Sequence, residues 1–231
     1  MSMLSNLQIR QEHVELGDGR AVSASFYPAG KAGLNAAYVL AHGAGAGQAS
    51  PFIRGFAAAL AQRGINVLTF NFPYMEAKRR VPDRAAVMEA CFEKAAEKLR
   101  GLCSPEDRIF IGGKSMGGRI GSQLAARRDS FLAGLVLLGY PLHPPGKPDQ
   151  LRTEHLGRLK LPLLVVQGTR DVFGTPDELK PWFSGPDVTI YPIEGGDHSF
   201  KIGKGSLSRR QEDIYAEIQD RIRDWVARVA G

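Results

Sequence analysis

Six stretches of this chain, AAYVLAHG, INVLTFNFP, RIFIGG, LAGLVLLGY, LPLLVVQG and VTIYPIEGG, are apolar at almost every position. A strand with one face in water alternates apolar and polar side chains, so continuous runs describe strands buried on both faces. Between them lie residues at helical spacing: Phe52, Phe56, Ala59 and Leu60 ahead of Gly64, then Val87, Cys91, Ala95 and Leu99. Ile214, Ile218, Ile222, Trp225 and Val229 form a third stripe near the C-terminus. Strands alternating with amphipathic helices predict the α/β class, a mostly parallel central sheet with helices on both faces. Two parts depart from this rhythm, the start and the proline-rich segment 140–160, which reads as a loop or small excursion. Residues 7–14 and 20–27 alternate in polarity around LGDGR, whose Asp18-Gly19 pair suits a tight turn, so an antiparallel hairpin is expected there.

The chain has 231 residues, 43% of them hydrophobic, and no internal repeat, low-complexity tract or linker, so it reads as a single domain over 1–231. Its two cysteines, Cys91 and Cys103, form no C-x-x-C and have no histidine cluster beside them. Neither a disulfide framework nor a metal site is indicated. MSMLSNLQIR at the N-terminus lacks an apolar core of signal-peptide length, and no stretch approaches the run of about 18 apolar residues that a membrane span needs. A cytoplasmic protein without membrane association is expected. The net charge of +6 is scattered, with only short clusters such as AKRR, and no nucleic-acid-binding motif accompanies it. Solvated basic faces account for such a pattern, and no nucleic-acid partner is expected.

The run IFIGGKSMGGRIG is strand-like until it breaks into glycines, and Gly113-Lys114-Ser115-Met116-Gly117 within it is G-x-S-x-G. Between a strand and a helix this pattern describes a nucleophile elbow, a serine on a sharp turn flanked by small residues that let strand and helix approach. A phosphate-cradling turn fits less well, because GGKSMGG lacks the G-x-x-x-x spacing ahead of its Gly-Lys-Ser. At the carboxyl edge of a parallel sheet, the elbow places the Ser115 hydroxyl near the positive end of the next helix and aims the Met116 N–H at a developing oxyanion.

A serine hydroxyl is a weak nucleophile without a base, and an imidazole base needs a carboxylate to fix its tautomer. Asp171 closes LLVVQGTRD directly after a buried strand, and His198 lies in IEGGDHSF after the next one. They are the expected acid and base. Asp197 is adjacent to His198 and badly placed to grip its ring, and Asp177 sits in a first helical turn where capping explains it. His13 and His155 read as structural or exposed. His143, in YPLHPP after a strand end, is a candidate substrate contact. LAHGAGAGQ follows an early strand and supplies small residues for a second oxyanion donor, Ala44, with His42 bracing the loop.

Together HGAGAG, GGKSMGGR, YPLHPPGKP, QGTRD and GGDHSF resemble the α/β-hydrolase superfamily. Within it the chain is similar to the small hydrolase-like group that includes the Tex30 and KANSL-type proteins, and more distantly to dienelactone hydrolases, where cysteine stands in place of Ser115. The resemblance implies an α/β-hydrolase fold without a large cap domain, with Ser115, Asp171 and His198 as its triad. The expected activity is that of a serine hydrolase acting on a small-molecule ester or thioester through an acyl-enzyme. The other reading is a non-catalytic binding or assembly module that keeps the fold. Neither requires a cofactor or a metal. The interval 140–160 is too short to wall a deep acyl tunnel, so short acyl groups are expected. Lys78, Arg79, Arg80 and Lys147 are the candidates for a basic mouth favouring anionic substrates, against the favoured reading of these charges as a solvated rim.

Overall fold

The computed structural model describes residues 8–30, 33–128, 131–183, 185, 187–203 and 210–231. Its eight strands are β1 (Arg10–Glu15), β2 (Ala21–Tyr27), β3 (Ala36–Ala41), β4 (Asn66–Phe70), β5 (Arg108–Lys114), β6 (Leu132–Leu138), β7 (Leu163–Gly168) and β8 (Val188–Ile193). They form one sheet in the order β1-β2-β4-β3-β5-β6-β7-β8. The β1–β2 and β2–β4 pairs are antiparallel, and the pairs from β4 through β8 are parallel. The helices are α1 (Pro51–Gln62), α2 (Pro73–Glu76), α3 (Ala85–Leu102), α4 (Met116–Ala125), α5 (Pro176–Leu179) and α6 (Gln211–Ala230).

The continuous apolar runs are explained by two separate cores. Successive side chains of a strand point to opposite faces. In β3, Ala37, Val39 and Ala41 enter one core while Ala36, Tyr38 and Leu40 enter the other. β6 and β7 divide in the same way, Leu135, Leu137, Leu163 and Val165 against Val136, Leu138, Leu164 and Val166. The first core is covered by α3 and α4, the second by α1 and α6. β8 departs from the pattern. It is the sheet edge, half-buried along most of its length, and carries Pro192, which an edge strand tolerates because one side needs no ladder donor.

Local corrections follow from the same packing. The hairpin turn spans Gly17-Asp18-Gly19, closed by the Leu16 N–H to the Arg20 carbonyl at 2.9 Å. Its positive φ angles fall on Gly17 and Gly19, while Asp18 accepts a hydrogen bond from the Arg20 N–H at 3.1 Å. Leu7, expected to open the first strand, lies outside the described residues. In α1 the buried positions are Ile53, Phe56, Ala57, Ala58, Leu60 and Ala61, with Phe52 and Ala59 only half-buried. Val87 on α3 is exposed and Met88 takes its place in the core. Gly64 ends α1 as expected, with φ of 91° and its N–H bonded to the Ala61 carbonyl.

The chain runs from β3 to β4 on one side and, through α3, to β5 on the other, so the strand order reverses at β3 and β5. Crossovers that leave in opposite directions open a crevice at the carboxyl ends of those two strands. The loop after β3 and the β5–α4 turn meet there. Their approach is so close that a Cβ at Gly113 would overlap the backbone of Ala41. The neighbouring atoms are main chain and cannot rotate away, so Gly113→Ala is expected to destabilise the protein by about 3 kcal/mol or more. Gly101, in α3, supplies the opposite case, because a Cβ there would meet nothing within 4 Å. Gly101→Ala should stabilise by about 0.5–1 kcal/mol, both changes being read from urea midpoints.

Candidate active site

Ser115 occupies the turn between β5 and α4 with φ of 51° and ψ of −115°. Such a conformation costs a non-glycine residue about 1–3 kcal/mol and persists only where its surroundings over-determine it. Here the Ser115 N–H donates to the Leu138 carbonyl of β6 at 3.0 Å, and its own carbonyl accepts from the Arg119 N–H at 3.0 Å. On the far side, a Cβ at Gly117 would lie 2.6 Å from the His42 carbonyl oxygen, so α4 can start this close to β3 only with glycine there. The turn lifts the serine side chain out of the sheet edge.

The residues Ser115, His198 and Asp171 are brought together, although 83 positions separate the first two. His198 Nε2 lies 2.9 Å from Ser115 Oγ, and His198 Nδ1 lies 2.7 Å from Asp171 Oδ2. A carboxylate only accepts, so Nδ1 carries the proton and Nε2 presents its lone pair to the serine hydroxyl. Phe173 covers the imidazole, with ring centroids 4.3 Å apart. Asp171 is buried, and its oxygens are occupied: Oδ1 accepts from the Phe173 N–H at 2.8 Å and Oδ2 from Gln167 Nε2 at 3.0 Å. Gln167 also donates to the Gly174 carbonyl at 2.6 Å and accepts from the Tyr140 N–H at 2.7 Å, so one amide ties together three segments around the carboxylate. Sequence reasoning passed over it. Its signal was a lone amide inside the apolar run LLVVQG.

Asp197 turns away from the ring. Its Oδ1 accepts from the Ser199 and Lys201 N–H groups at 2.7 and 2.9 Å, which shapes the loop that carries His198. Asp177 lies in the first turn of α5, behind a Thr175–Glu178 capping box. His155 is buried, 2.8 Å from Ser122 Oγ, and burial together with the Arg119 charge pushes it down to about 4. His42 is fully buried; its Nε2 accepts the Phe72 N–H at 3.1 Å and its Nδ1 donates to the Gly43 carbonyl at 2.9 Å. Burial pushes it down to about 4, so it stays neutral and keeps that tautomer near pH 7. Fixing the Gly43 carbonyl also fixes the trans peptide plane that holds the Ala44 N–H. Ala44 lines the cleft beside Ser115 and Met116. The Met116 N–H is the first of α4 and has no intrahelical acceptor.

This cleft has a volume of about 830 Å³. Its apolar wall comes largely from Phe52 and Ile53 of α1 and Met88 of α3, while the 140–160 interval contributes only Pro141 and Arg152. That interval forms loops and one short 3-10 turn, Leu156–Arg158, rather than a cap. The length of the interval therefore does not set the size of the cleft, contrary to expectation. His143 does not reach it. The ring is buried under the 171–178 segment, with Nδ1 3.0 Å from the Pro144 carbonyl and Nε2 3.4 Å from Glu178 Oε1, so it packs a loop rather than lining the cleft. The favoured reading of the basic residues after β4 and in the 140–160 interval, a solvated rim, is the one that fits the cleft lining. Lys78, Arg80 and Lys147 do not line the cleft, and Arg79 pairs with Asp83 at 2.6 Å. The basic residues that do line it are Lys114, Arg119, Arg152 and Lys201.

Lys114, the residue before the serine, has a buried Nζ with no hydrogen-bond partner among the described residues, 5.5 Å from the Phe200 ring centroid. Burial pushes its ammonium down to about 8, against the opposing pull of Asp171 and Asp197. An unfolded lysine holds its proton to a higher pH, so between about 8 and the ordinary value of 10.5 the unfolded chain binds more protons and stability rises with pH through this group. Lys114→Met should therefore raise the thermal midpoint at pH 7 by a few degrees. Its advantage over the parent protein should shrink as pH climbs from 8 to 10.5, which denaturation at both ends of that window measures.

A family model described as an alpha/beta hydrolase domain matches residues 34–227, most of the chain. Solved structures with the same architecture include a dienelactone hydrolase from Anabaena variabilis, at 18% identity and a TM-score of 0.73, covering 95% of this chain and 96% of that one. A serine hydrolase without a lid from Xanthomonas campestris is similar at 19% identity and a TM-score of 0.74, over 94% and 95% of the two chains. An esterase domain from Rhodothermus marinus aligns at 15% identity and a TM-score of 0.72, over 97% of this chain and all of its own. At these identities the structures testify to the fold, an eight-stranded, mostly parallel sheet without a large cap, and the family model extends over both segments that build the serine turn and the loop facing it. The chain belongs to the alpha/beta hydrolase domain family.

Proposed function

We propose that this protein is a serine hydrolase that cleaves an ester or thioester through an acyl-enzyme. The observation that carries this reading is the unbroken line from Asp171 through His198 to Ser115, at 2.7 and 2.9 Å, ending on a strained backbone that faces an 830 Å³ cleft. A binding module has no physical reason to keep a serine in a costly conformation beside an oriented imidazole.

In this mechanism Ser115 Oγ attacks the substrate carbonyl as its proton passes to His198 Nε2, and Asp171 stabilises the imidazolium that results. Negative charge collects on the former carbonyl oxygen, where the N–H groups of Met116 and Ala44 serve as donors. The Met116 N–H adds the positive end of α4 to the same point. Collapse of the tetrahedral intermediate expels the alcohol or thiol, protonated by His198, and leaves an acyl group on Ser115. Water, deprotonated by the same imidazole, then attacks the acyl group and releases the acid. His42 contributes from a distance, since its bond to the Gly43 carbonyl holds the Ala44 peptide in one orientation. Support from related proteins is of a coarser kind: the neighbours described as esterases and serine hydrolases share this fold.

A fluorophosphonate probe should label Ser115 and no other serine, with peptide mass spectrometry reading the site. An unlabelled native protein would instead support the binding or assembly module. Ser115→Ala and His198→Ala should each lower kcat on a p-nitrophenyl ester by three or more orders of magnitude while circular dichroism stays native, because the residues act as one unit. Asp171→Asn should lower kcat by about 10³–10⁴, since an amide at this position can donate to Nδ1 and favour the wrong tautomer.

A further inference from the structure

The cleft contains two guanidinium groups that the described residues leave without a counter-ion. Arg119 lies on the first turn of α4, four residues after Ser115, and Arg152 lies in the loop after β6; both line the cleft. Among the described residues neither has a carboxylate within 4.0 Å. Arg127 and Arg128, just beyond the end of α4, behave differently, pairing with Glu89 at 2.8 Å and Glu93 at 2.7 Å. The one carboxylate lining the cleft among the described residues, Asp83, is already taken by Arg79 at 2.6 Å.

Arg152 is held ready rather than left loose. Its side-chain Nη1 donates to the Pro141 carbonyl at 3.3 Å, its N–H donates to the Leu142 carbonyl at 2.8 Å, and its carbonyl accepts from the buried Tyr140 hydroxyl at 2.7 Å. Among the described residues, most of its fork of five donors remains open. Burial lowers the Arg152 guanidinium from its ordinary value and the nearby charge of Arg119 lowers it further, which places the two cations close enough to repel. Side chains of a helix lean toward its N-terminus, so Arg119 leans back toward the serine. Two guanidiniums lining one cleft with donors open among the described residues match the planar oxygens of an anion, and an anion bound by both offsets their repulsion.

We infer that Arg119 and Arg152 together bind a carboxylate on the substrate, so that the preferred substrates carry a carboxylate in addition to the ester or thioester that is cleaved. The inference rests on the hydrolase reading for its chemistry but not for its binding site. Since Arg119 is only one helical turn from Ser115, the carboxylate sits a few bonds from the reacting carbonyl. Occupied by an anion, the pair acts on specificity. A neutral ester has to leave the two charges unpaired in a cleft partly shielded from water.

The test compares anionic esters with neutral partners in two series. One is the monomethyl against the dimethyl esters of malonate through adipate, which places the carboxylate on the acyl side; the other is ω-acetoxy acids against their methyl esters, which places it on the leaving group. In at least one series the ratio of anionic to neutral kcat/KM should fall tenfold or more in both Arg119→Gln and Arg152→Gln relative to the parent protein. Because a ratio is compared between variants, intrinsic ester reactivity and any loss of folded protein cancel. A ratio unchanged in both series would overturn the carboxylate site while leaving hydrolysis of neutral esters, and so the hydrolase reading, intact. The converse is read by NMR titration of Ser115→Ala with monomethyl glutarate and its homologues. Binding that weakens fivefold or more on adding Arg119→Gln, in a protein whose parent hydrolyses nothing, would sustain the site and sink the hydrolase reading. In that case, absence of binding across the homologues, or binding that Arg119→Gln leaves unchanged, would remove the proposal.

Discussion

The main-chain contact between the β5–α4 turn and the end of β3 is the constraint on which the rest of this structure depends. Gly113 and Gly117 let backbone meet backbone where any side chain would collide with Ala41 or His42. That approach makes Ser115 a raised turn residue, sets α4 pointing its first N–H toward the cleft, and brings the loop after β3 alongside. A methyl group at either glycine would push strand, helix and loop apart together. The strained serine backbone is a consequence of this geometry, tolerated because β6 and α4 each hold one of its peptide groups.

Around that contact, the buried groups nearest the serine have their orientation fixed by a second group. Asp171 is satisfied by Gln167 and the Phe173 N–H before His198 approaches, so the carboxylate arrives already aimed. His42 is kept neutral by burial and locked by two backbone groups, which makes a titratable residue into a rigid strut. Lys114 is held differently. Its Nζ has no hydrogen-bond partner among the described residues and is held in place by packing, the Phe200 ring and the more distant carboxylates of Asp171 and Asp197. Arg119 and Arg152 differ in another way, lining the cleft without a carboxylate partner among the described residues.

Much of this was legible before any coordinates. Apolar runs without alternation, set between amphipathic stripes, require strands buried on both faces, and the two cores of β3, β6 and β7 divide as such runs demand. G-x-S-x-G between strand and helix, followed by an acid and a histidine each just past a strand end, marked three side chains that the fold does bring together. Less legible were residues whose importance comes from what lies opposite them. Arg119 reads as one polar residue in a glycine-rich helix, Arg152 as one charge in an aperiodic loop, and Gln167 as an interruption of a strand. For Lys78, Arg79, Arg80 and Lys147 the sequence left a basic mouth and a solvated rim both open, since adjacency to a strand end in sequence does not say which way the following loop turns.

The division has a physical cause. Periodicity, glycine placement and strand-end position are local properties, carried by the sequence because they follow from the geometry of a few consecutive residues. They determined the α/β layering, the serine turn and the order of its partners. What only the tertiary structure decided depends on distances between segments remote in the chain: that His143 packs against Pro144 and Glu178 instead of the cleft, and that α1 and α3 wall the cleft. The same holds for Arg119 and Arg152, which line one cleft and have no carboxylate partner among the described residues. Long-range proximity is set by how eight strands and their crossovers pack as a whole, and no window of sequence contains it.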